Sequence, residues 1–426
     1  MNILMITNTF SPHVGGVARS VEAFTAEYKK MGHGVMVIAP EFQDMPEREE
    51  GVLRIPALQH FNGSDFSVRL PVPVRFTGLI EAFKPDLIHS HHPFMLGSTA
   101  FRLAHHHRIP LVFTHHTMYE EYTHYVPGNS ATMKRFAITL GTGYANLCDR
   151  VFAPSESVAE VLAARGVETP IDVVPTGVNT HLFDLGHGGG LRAALGIPED
   201  AFVVGHVGRL APEKNLPFLT EGVSAFMKRC NKAHFVLVGD GPSIGQIKKL
   251  FADPDLAPRF HYLGTLSGPL LVSAYKSMDI FAFASLTETQ GMVLTEAMSA
   301  GAPVIALDAP GAREVVVDGE NGRLLYTPDK EEFRQALEWA ASLSVDSMAA
   351  MRRAVKHRAK EFSIERCAEK AIHHYEEVLQ GGYVPRRTED SPWESTLDLI
   401  KAEWDIVSNA AEAAVKSVRK GRKVGI

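Results

Sequence analysis

The sequence predicts an α/β protein: two doubly wound domains facing a cleft, followed by a C-terminal helical tail. Three observations lead there. Strand-like and helix-like segments alternate along most of the chain, and the alternation stops in the glycine-rich stretch "DLGHGGG" before starting again. The strand-like segments are apolar throughout, which suits parallel strands covered on both faces. At 426 residues the chain is also too long for one typical domain.

In order along the chain, "NILMIT" reads as the first strand. Helical spacing of Val17, Val21, Phe24 and Tyr28 follows, and Gly32 supplies a C-terminal stop. Then come strands "GVMVIAP" and "DLIHSH", a helix near 94–107, strand "PLVFTHH", a helix near 130–147 and strand "RVFAPS". Beyond the glycine-rich stretch, "FVVGHVG", "HFVLVGDG", "RFHYLG" and "DIFAFAS" are strands with helices between them. The expected organisation is a Rossmann-like domain over 1–185 and a second over 186–365. A helix over 366–380 is expected to return to the first domain, and 381–426 to form a linker and tail.

Composition narrows the class. Hydrophobic residues make up 45% and charged residues 22%, an ordinary globular balance. A formal charge of -6 argues against a general nucleic-acid binder. Cys148, Cys230 and Cys367 are scattered and odd in number, as in a reducing cytosol. The start, "MNILMITNTF", has no basic n-region and reads as a strand, and no segment approaches the roughly 18 apolar residues of a membrane span. A cytoplasmic location is expected.

Ligands of doubly wound sheets sit beyond the carboxyl ends of the strands, so the loops after strands carry the chemistry. In "TNTFSPHVGGVARS", Gly15 and Gly16 precede a helix and let backbone approach an anion, or simply form a tight turn. In "VFTHHTMYEEYTHY", His115 and His116 follow a buried strand and point toward the cleft, His116 being the stronger candidate. In "GHVGRLAPEKNLPFL", Arg209 and Lys214 lie between a strand and a helix, where a guanidinium fork and a compact ammonium make a diphosphate clamp.

The fourth loop is "ETQGMVLTEAMSAGAP". Gly291 turns the strand into a helix over 292–300 that Gly301 and Pro303 end. N–H groups near Gly291, Met292 and Val293 can meet a phosphate. Glu288, before the turn, can accept hydrogen bonds from sugar hydroxyls, and Glu296, about one turn in, from a diol. Sugar, diphosphate and ribose follow in that order in a nucleotide sugar. A glycosidase pair would need its two carboxylates about 5 to 9.5 Å apart across one bond, and would leave the phosphate-binding turn without a role.

Two look-alikes are set aside. "GDGPSIG" (239–245) follows a strand, but its third glycine falls one residue late for a dinucleotide fingerprint and Pro242 interrupts it. The Asp253–Asp255 "DPD" lies in a helix-end turn. His105, His106 and His107 are adjacent on a helix and point apart, so no metal site is expected there.

In these motifs the chain resembles family-4 glycosyltransferases of the GT-B fold over roughly residues 1–380. Glu288 and Glu296 with "AMSAGAPVIA" behind them, "GRLAPEKN", "GGV", "PSESV" and "VPTGVNTHLF" carry the resemblance. It implies a retaining transferase with a sugar-nucleotide donor and no metal or other cofactor. By position, Arg209 and Lys214 would neutralise the diphosphate and Glu288 would hold sugar hydroxyls. Glu296 would take the ribose, and His116 would line the sugar site near the reacting carbon. Gly15 and Gly16 would border the diphosphate. Thr289, Gln290, Gly291, Met292 and Val293 would complete the donor turn. Many members have Glu-Gly-Phe-Gly where this chain has "ETQG". "HHTMYEEYTHYVPG" is similar to bacterial diacylglycerol glucosyltransferases, which implies glucose transfer from UDP-glucose to a lipid hydroxyl. A soluble or polysaccharide acceptor, and a sugar phosphorylase or epimerase of the same fold, are the alternatives. Acceptor-dependent release of free nucleotide would distinguish a transferase from the phosphorylase or epimerase; a nicotinamide dehydrogenase would rest on the defective "GDGPSIG" loop, and a non-catalytic sugar-binding module would show no turnover.

In the tail, Leu397, Ile400, Trp404, Val407, Ala411, Ala414 and Val418 form an amphipathic stripe ending in basic "KSVRKGRK". It fits a helix at the inner face of the membrane, or one docked on the body or on a partner.

Overall fold

The computed structural model describes residues 1–13, 15–47, 49–58, 68–69, 77–120, 131–184 and 189–381. The expected tail stripe, and residues 121–128 of the lipid-transferase-like stretch, lie outside the described residues. The chain divides into two compact units: Val178–Ile364, and Met1–Gly177 with the chain from Glu365.

The first unit contains β1 (Asn2–Ile6), β2 (Gly34–Pro40), β3 (Val52–Ile55), β4 (Ala57–Leu58), β5 (Val68–Arg69), β6 (Leu87–Ser90), β7 (Leu111–Thr114), β8 (Arg150–Ala153) and β9 (Ile171–Val173). Its helices are α1 (Gly16–Lys30), α2 (Thr77–Phe83), α3 (Leu96–His107), α4 (Ala131–Leu147) and α5 (Glu156–Ala164). Seven strands form a parallel sheet in the order β3-β2-β1-β6-β7-β8-β9. Gly32 has φ 86° just after α1, the left-handed stop the sequence predicts. The order reverses between β1 and β6, so the loops after those two strands flank one crevice.

The second unit holds α6 (Gly189–Ala194), β10 (Phe202–Val207), α7 (Leu216–Arg229), β11 (Ala233–Val238), α8 (Ile244–Leu250), β12 (Phe260–Tyr262) and α9 (Gly268–Lys276). It continues through β13 (Ile280–Phe283), α10 (Met292–Ala300), β14 (Val304–Leu307), β15 (Gly322–Leu325), α11 (Lys330–Ala341) and α12 (Val345–Glu361). Its parallel sheet runs β12-β11-β10-β13-β14-β15. Side chains alternate between two cores. Phe281, Phe283, Val304 and Ala306 pack on one face; Ile280, Ala282, Ile305 and Leu307 pack on the other. Strands buried on both faces have no polar side to show, hence their apolar sequences. Here the order reverses between β10 and β13.

The second unit begins at Val178, eight residues before the expected 186. The reason is packing: Val178 and Phe183 belong to its core. Val178 N donates to Phe362 O at 2.9 Å and Ile364 N to Val178 O at 3.0 Å, so the chain enters and leaves this unit side by side. The helix α13 (Ile364–Gln380) then packs in the first unit. Its fully buried Tyr375 places a hydroxyl 3.2 Å from that of Tyr28 and 2.6 Å from His89 Nδ1. The short strands β3, β4, β5, β9, β14 and β15 are additions to the sequence expectation. Among the described residues no helix is long and apolar enough to cross a membrane.

Candidate active site

The site of the second unit is built on its two strands at the order reversal. After β10, Pro212–Lys214 make one 3₁₀ turn, and Asn215 at φ 52° caps α7. Arg209 is exposed on this loop and Lys214 is half-buried. The loop rests on the turn after β11. Leu210 N donates to Asp240 O at 2.9 Å, and Ser243 N to Leu210 O at 2.8 Å. A Cβ on Gly239 (φ 124°) would stand 1.9 Å from Gly208 O, and one on Gly241 (φ 154°) 2.5 Å from Leu210 O. Gly239 and Gly241 of "GDGPSIG" thus serve backbone contact with the Arg209 loop. The Asp253–Asp255 turn is also local, with Asp255 N donating to Asp253 Oδ1 at 3.0 Å and Lys228 Nζ 3.0 Å from Asp253 Oδ2.

After β13 the second loop is stitched to the first. Asn215 Nδ2 donates to Ala284 O at 3.3 Å, and Ser285 Oγ to Glu213 O at 3.3 Å. Lys214 Nζ pairs with Glu288 Oε1, their side chains only 18% and 16% exposed. Gly291 adopts φ 68°, ψ 57° at the start of α10, a conformation that favours glycine. The first N–H groups of α10, those of Met292 and Val293, have no intrahelical acceptor by geometry and favour an anion. Thr289 is half-buried and Gln290 buried against the turn after β14. There a Cβ on Gly311 (φ 82°) would lie 2.8 Å from Gln290 C and 2.9 Å from Glu288 Cβ.

Glu296 lies one turn into α10, 9% exposed, and its Oε2 accepts a hydrogen bond from the Tyr275 hydroxyl at 2.6 Å. On β10, hydrogen-bonded across to β13, sits His206, which the sequence reading passed over. Its Nδ1 donates to Ala282 O at 2.9 Å, and its ring stacks on Phe281. Burial pushes the His206 pKa down to about 4, so the ring is neutral at physiological pH. Arg209, Lys214, Glu288 to Val293 and Glu296 are therefore gathered on the loops and helix starts of one unit.

The remaining candidates belong to the first unit. Gly15 is extended and Gly16 opens α1; a Cβ on Gly15 would meet His13 Nε2 at 3.2 Å, while one on Gly16 would meet nothing within 4 Å. His116 Nε2 lies 2.9 Å from His91 Nδ1, and the rings stack. Among the described residues buried His91 Nε2 has no partner, so the proton is better placed on His91 Nδ1, with His116 accepting. Burial first, then nearby His92, His89 and His115, holds the His116 pKa well below the usual range. His92 Nδ1 in turn accepts from Asn8 N at 3.1 Å, and Asn8 Oδ1 accepts from Leu96 N at 3.1 Å. Of the "HSHH" histidines, His91 thus meets His116, while His92 braces Asn8. Among the described residues no group of three or more His, Cys, Asp or Glu is arranged to hold a metal ion.

Fold and site together define a glycosyltransferase of the GT-B fold. Residues 14–182 match the family model described as Glycosyltransferase Family 4, and residues 190–362 that described as Glycosyl transferases group 1. The chain is similar to alpha-monoglucosyldiacylglycerol synthase of Acholeplasma laidlawii, 30% identical over 76% of this chain and 84% of that one. It is equally similar to the GDP-mannose-dependent alpha-mannosyltransferase of Mycolicibacterium smegmatis, 30% identical over 89% of this chain and 98% of that one. Among solved structures, sucrose-phosphate synthase from Thermosynechococcus elongatus matches with a TM-score of 0.74 at 20% identity over 90% of this chain and 100% of that one. Anabaena HepE, solved with UDP and glucose, matches with a TM-score of 0.68 at 21% identity over 88% and 99%. The chain belongs to glycosyltransferase family 4.

Proposed function

We propose that this enzyme is a retaining, metal-independent hexosyltransferase that moves glucose from UDP-glucose to a lipid hydroxyl such as that of diacylglycerol. The observation that carries the donor side is the Lys214–Glu288 pair beside the start of α10. It sets a cation, a carboxylate and a run of N–H groups around one spot at the order reversal of the sheet. Arg209, Lys214 and the N–H groups near Gly291, Met292 and Val293 take the diphosphate. Glu288 takes sugar hydroxyls, Glu296 the ribose diol, and Thr289 and Gln290 shape the turn. Gly15 and Gly16 are assigned to the diphosphate and His116 to the sugar on the family pattern alone.

As the bond from the sugar carbon to the diphosphate breaks, charge collects on the departing oxygen. Prearranged cations and amide dipoles stabilise it, usually the largest catalytic contribution. The acceptor hydroxyl attacks from the same face and gives its proton to that departing phosphate oxygen. The lipid acceptor is supported by the glucosyldiacylglycerol synthases of Acholeplasma laidlawii and Streptococcus pneumoniae among the relatives. Mannose from GDP-mannose is the second reading, favoured by the mannosyltransferase relatives. Membrane contact through the tail belongs to the same proposal; unchanged vesicle cosedimentation without residues 391–426 would remove the tail from it.

The test is transfer from radiolabelled UDP-glucose and, separately, GDP-mannose, to diacylglycerol in mixed micelles and to soluble acceptors, with product mass and anomeric configuration determined. An α-linked glucolipid formed in the presence of a chelator is the expected product. No glycolipid from any sugar nucleotide ends the lipid reading, a β-linkage ends retention, and loss of activity with chelator ends metal independence.

A further inference from the structure

Glu296 stands where a carboxylate is costly: 9% exposed, on a helix whose Leu294, Ala297 and Met298 pack into an apolar core. Its Oε2 is met at 2.6 Å by the Tyr275 hydroxyl, which donates, since an ionised carboxylate only accepts. Tyr275 comes from a different helix, α9, and is fully buried. Its ring is held by Phe183, with centroids 5.9 Å apart, and by Phe281 at 5.8 Å. Phe281 belongs to β13, whose loop carries Glu288. One aromatic cluster therefore fixes the hydroxyl that fixes Glu296.

We propose that Tyr275 is a positioning residue for donor recognition: it locks the Glu296 carboxylate in the orientation that grips the ribose diol, without touching the donor. The proposal rests on the assignment of Glu296 to the ribose. Fixing the carboxylate beforehand removes an ordering cost from binding, and a hydrogen bond to a charged group is worth roughly tenfold in affinity. Tyr275 therefore acts on the affinity for ribose-bearing ligands, and so on KM for the donor more than on kcat.

The experiment is calorimetric titration of the full chain with UDP and GDP, each against its 2′,3′-dideoxy counterpart. The wild type, Tyr275→Phe, Glu296→Ala and the double variant are compared. The wild type should prefer the ribonucleotide. Tyr275→Phe and Glu296→Ala should each lower that preference about tenfold, and the double variant should fall no further than Glu296→Ala alone. Retention of the wild-type preference by Tyr275→Phe, with its loss in Glu296→Ala, overturns the role of Tyr275. Retention in Glu296→Ala, or no binding of either nucleotide by the wild type, overturns the ribose assignment and this inference with it. Should Tyr275→Phe not fold, Tyr275→His, which keeps a ring and an N–H donor, takes its place. An intermediate preference is then expected, and a wild-type one overturns the proposal.

Discussion

Lys214 and Glu288 are 74 residues apart in sequence, yet they form a direct ion pair across the loops that follow adjacent strands β10 and β13. The parallel order of the sheet brings them together, and the hydrogen bonds of Asn215 to Ala284 and of Ser285 to Glu213 hold the two loops in register. On the proposed donor assignment the two exchange partners when the donor binds: the ammonium for phosphate oxygens, the carboxylate for hydroxyls.

Replacing Lys214 with Ala separates catalysis from folding. Loss of a preplaced cation beside a departing diphosphate lowers kcat/KM roughly a hundred- to a thousandfold. Breaking this largely buried pair costs about 1–3 kcal/mol of stability. Steady-state kinetics and thermal denaturation of one preparation check both halves; near-normal turnover would count against the role of Lys214.

Gly311 touches the site from behind. A methyl group there would press on Gln290 and Glu288, at a φ of 82° that strains an L-residue by about 1–2 kcal/mol. Gly311→Ala should therefore weaken donor binding at least several-fold, even though the residue bears no reactive group. Titration with UDP and GDP reads this directly, and unchanged affinity would show that the turn yields without cost.

The turn after β11 gives a structural prediction and a chemical one. Gly241→Ala would set a Cβ 2.5 Å from Leu210 O, so it should lower the melting temperature and weaken diphosphate binding by shifting the Arg209 loop. The unaltered protein should show no quenching or enhancement of NADH fluorescence, because these glycines face backbone. Specific NADH binding would revive the dehydrogenase reading.

Acid should destabilise the protein through its buried histidines. Burial lowers His89 and His92 to about 3, and His115 and His206 to about 4, from 6.5. Between the folded and unfolded values the unfolded chain binds protons that the native state refuses. Stability thus rises with pH through this window and is lost as pH falls from 6.5 toward 4, by up to ~1.4 kcal/mol per pH unit for each such ring. Urea melts at pH 7, 6 and 5 measure the slope, and His206→Gln should make it shallower.

What the sequence made legible follows from chemistry that is local along the chain. Apolar runs marked the long parallel strands, Gly291 marked the turn into α10, and the spacing of Glu288 and Glu296 marked the loop proposed to hold the donor. The rest depends on contacts between distant segments. The Tyr275 donor for Glu296, the His91 partner of His116 and the pressure of Gly311 on Gln290 leave no periodicity to read. "GDGPSIG" shows the same limit from the other side: Gly239 and Gly241 are required by Gly208 and Leu210, each 31 residues upstream. The glycine-rich stretch is a conspicuous break in the sequence, but it cannot show that Val178 and Phe183, upstream of it, pack in the second core.

The most direct test is of the diphosphate clamp itself. UDP and UMP, and GDP and GMP, are titrated into the wild type and into an Arg209→Ala, Lys214→Ala double variant. The expected result is a marked preference of the wild type for one diphosphate over its monophosphate, reduced at least tenfold in the double variant. Equal preference in both proteins would contradict the assignment of the diphosphate to Arg209 and Lys214.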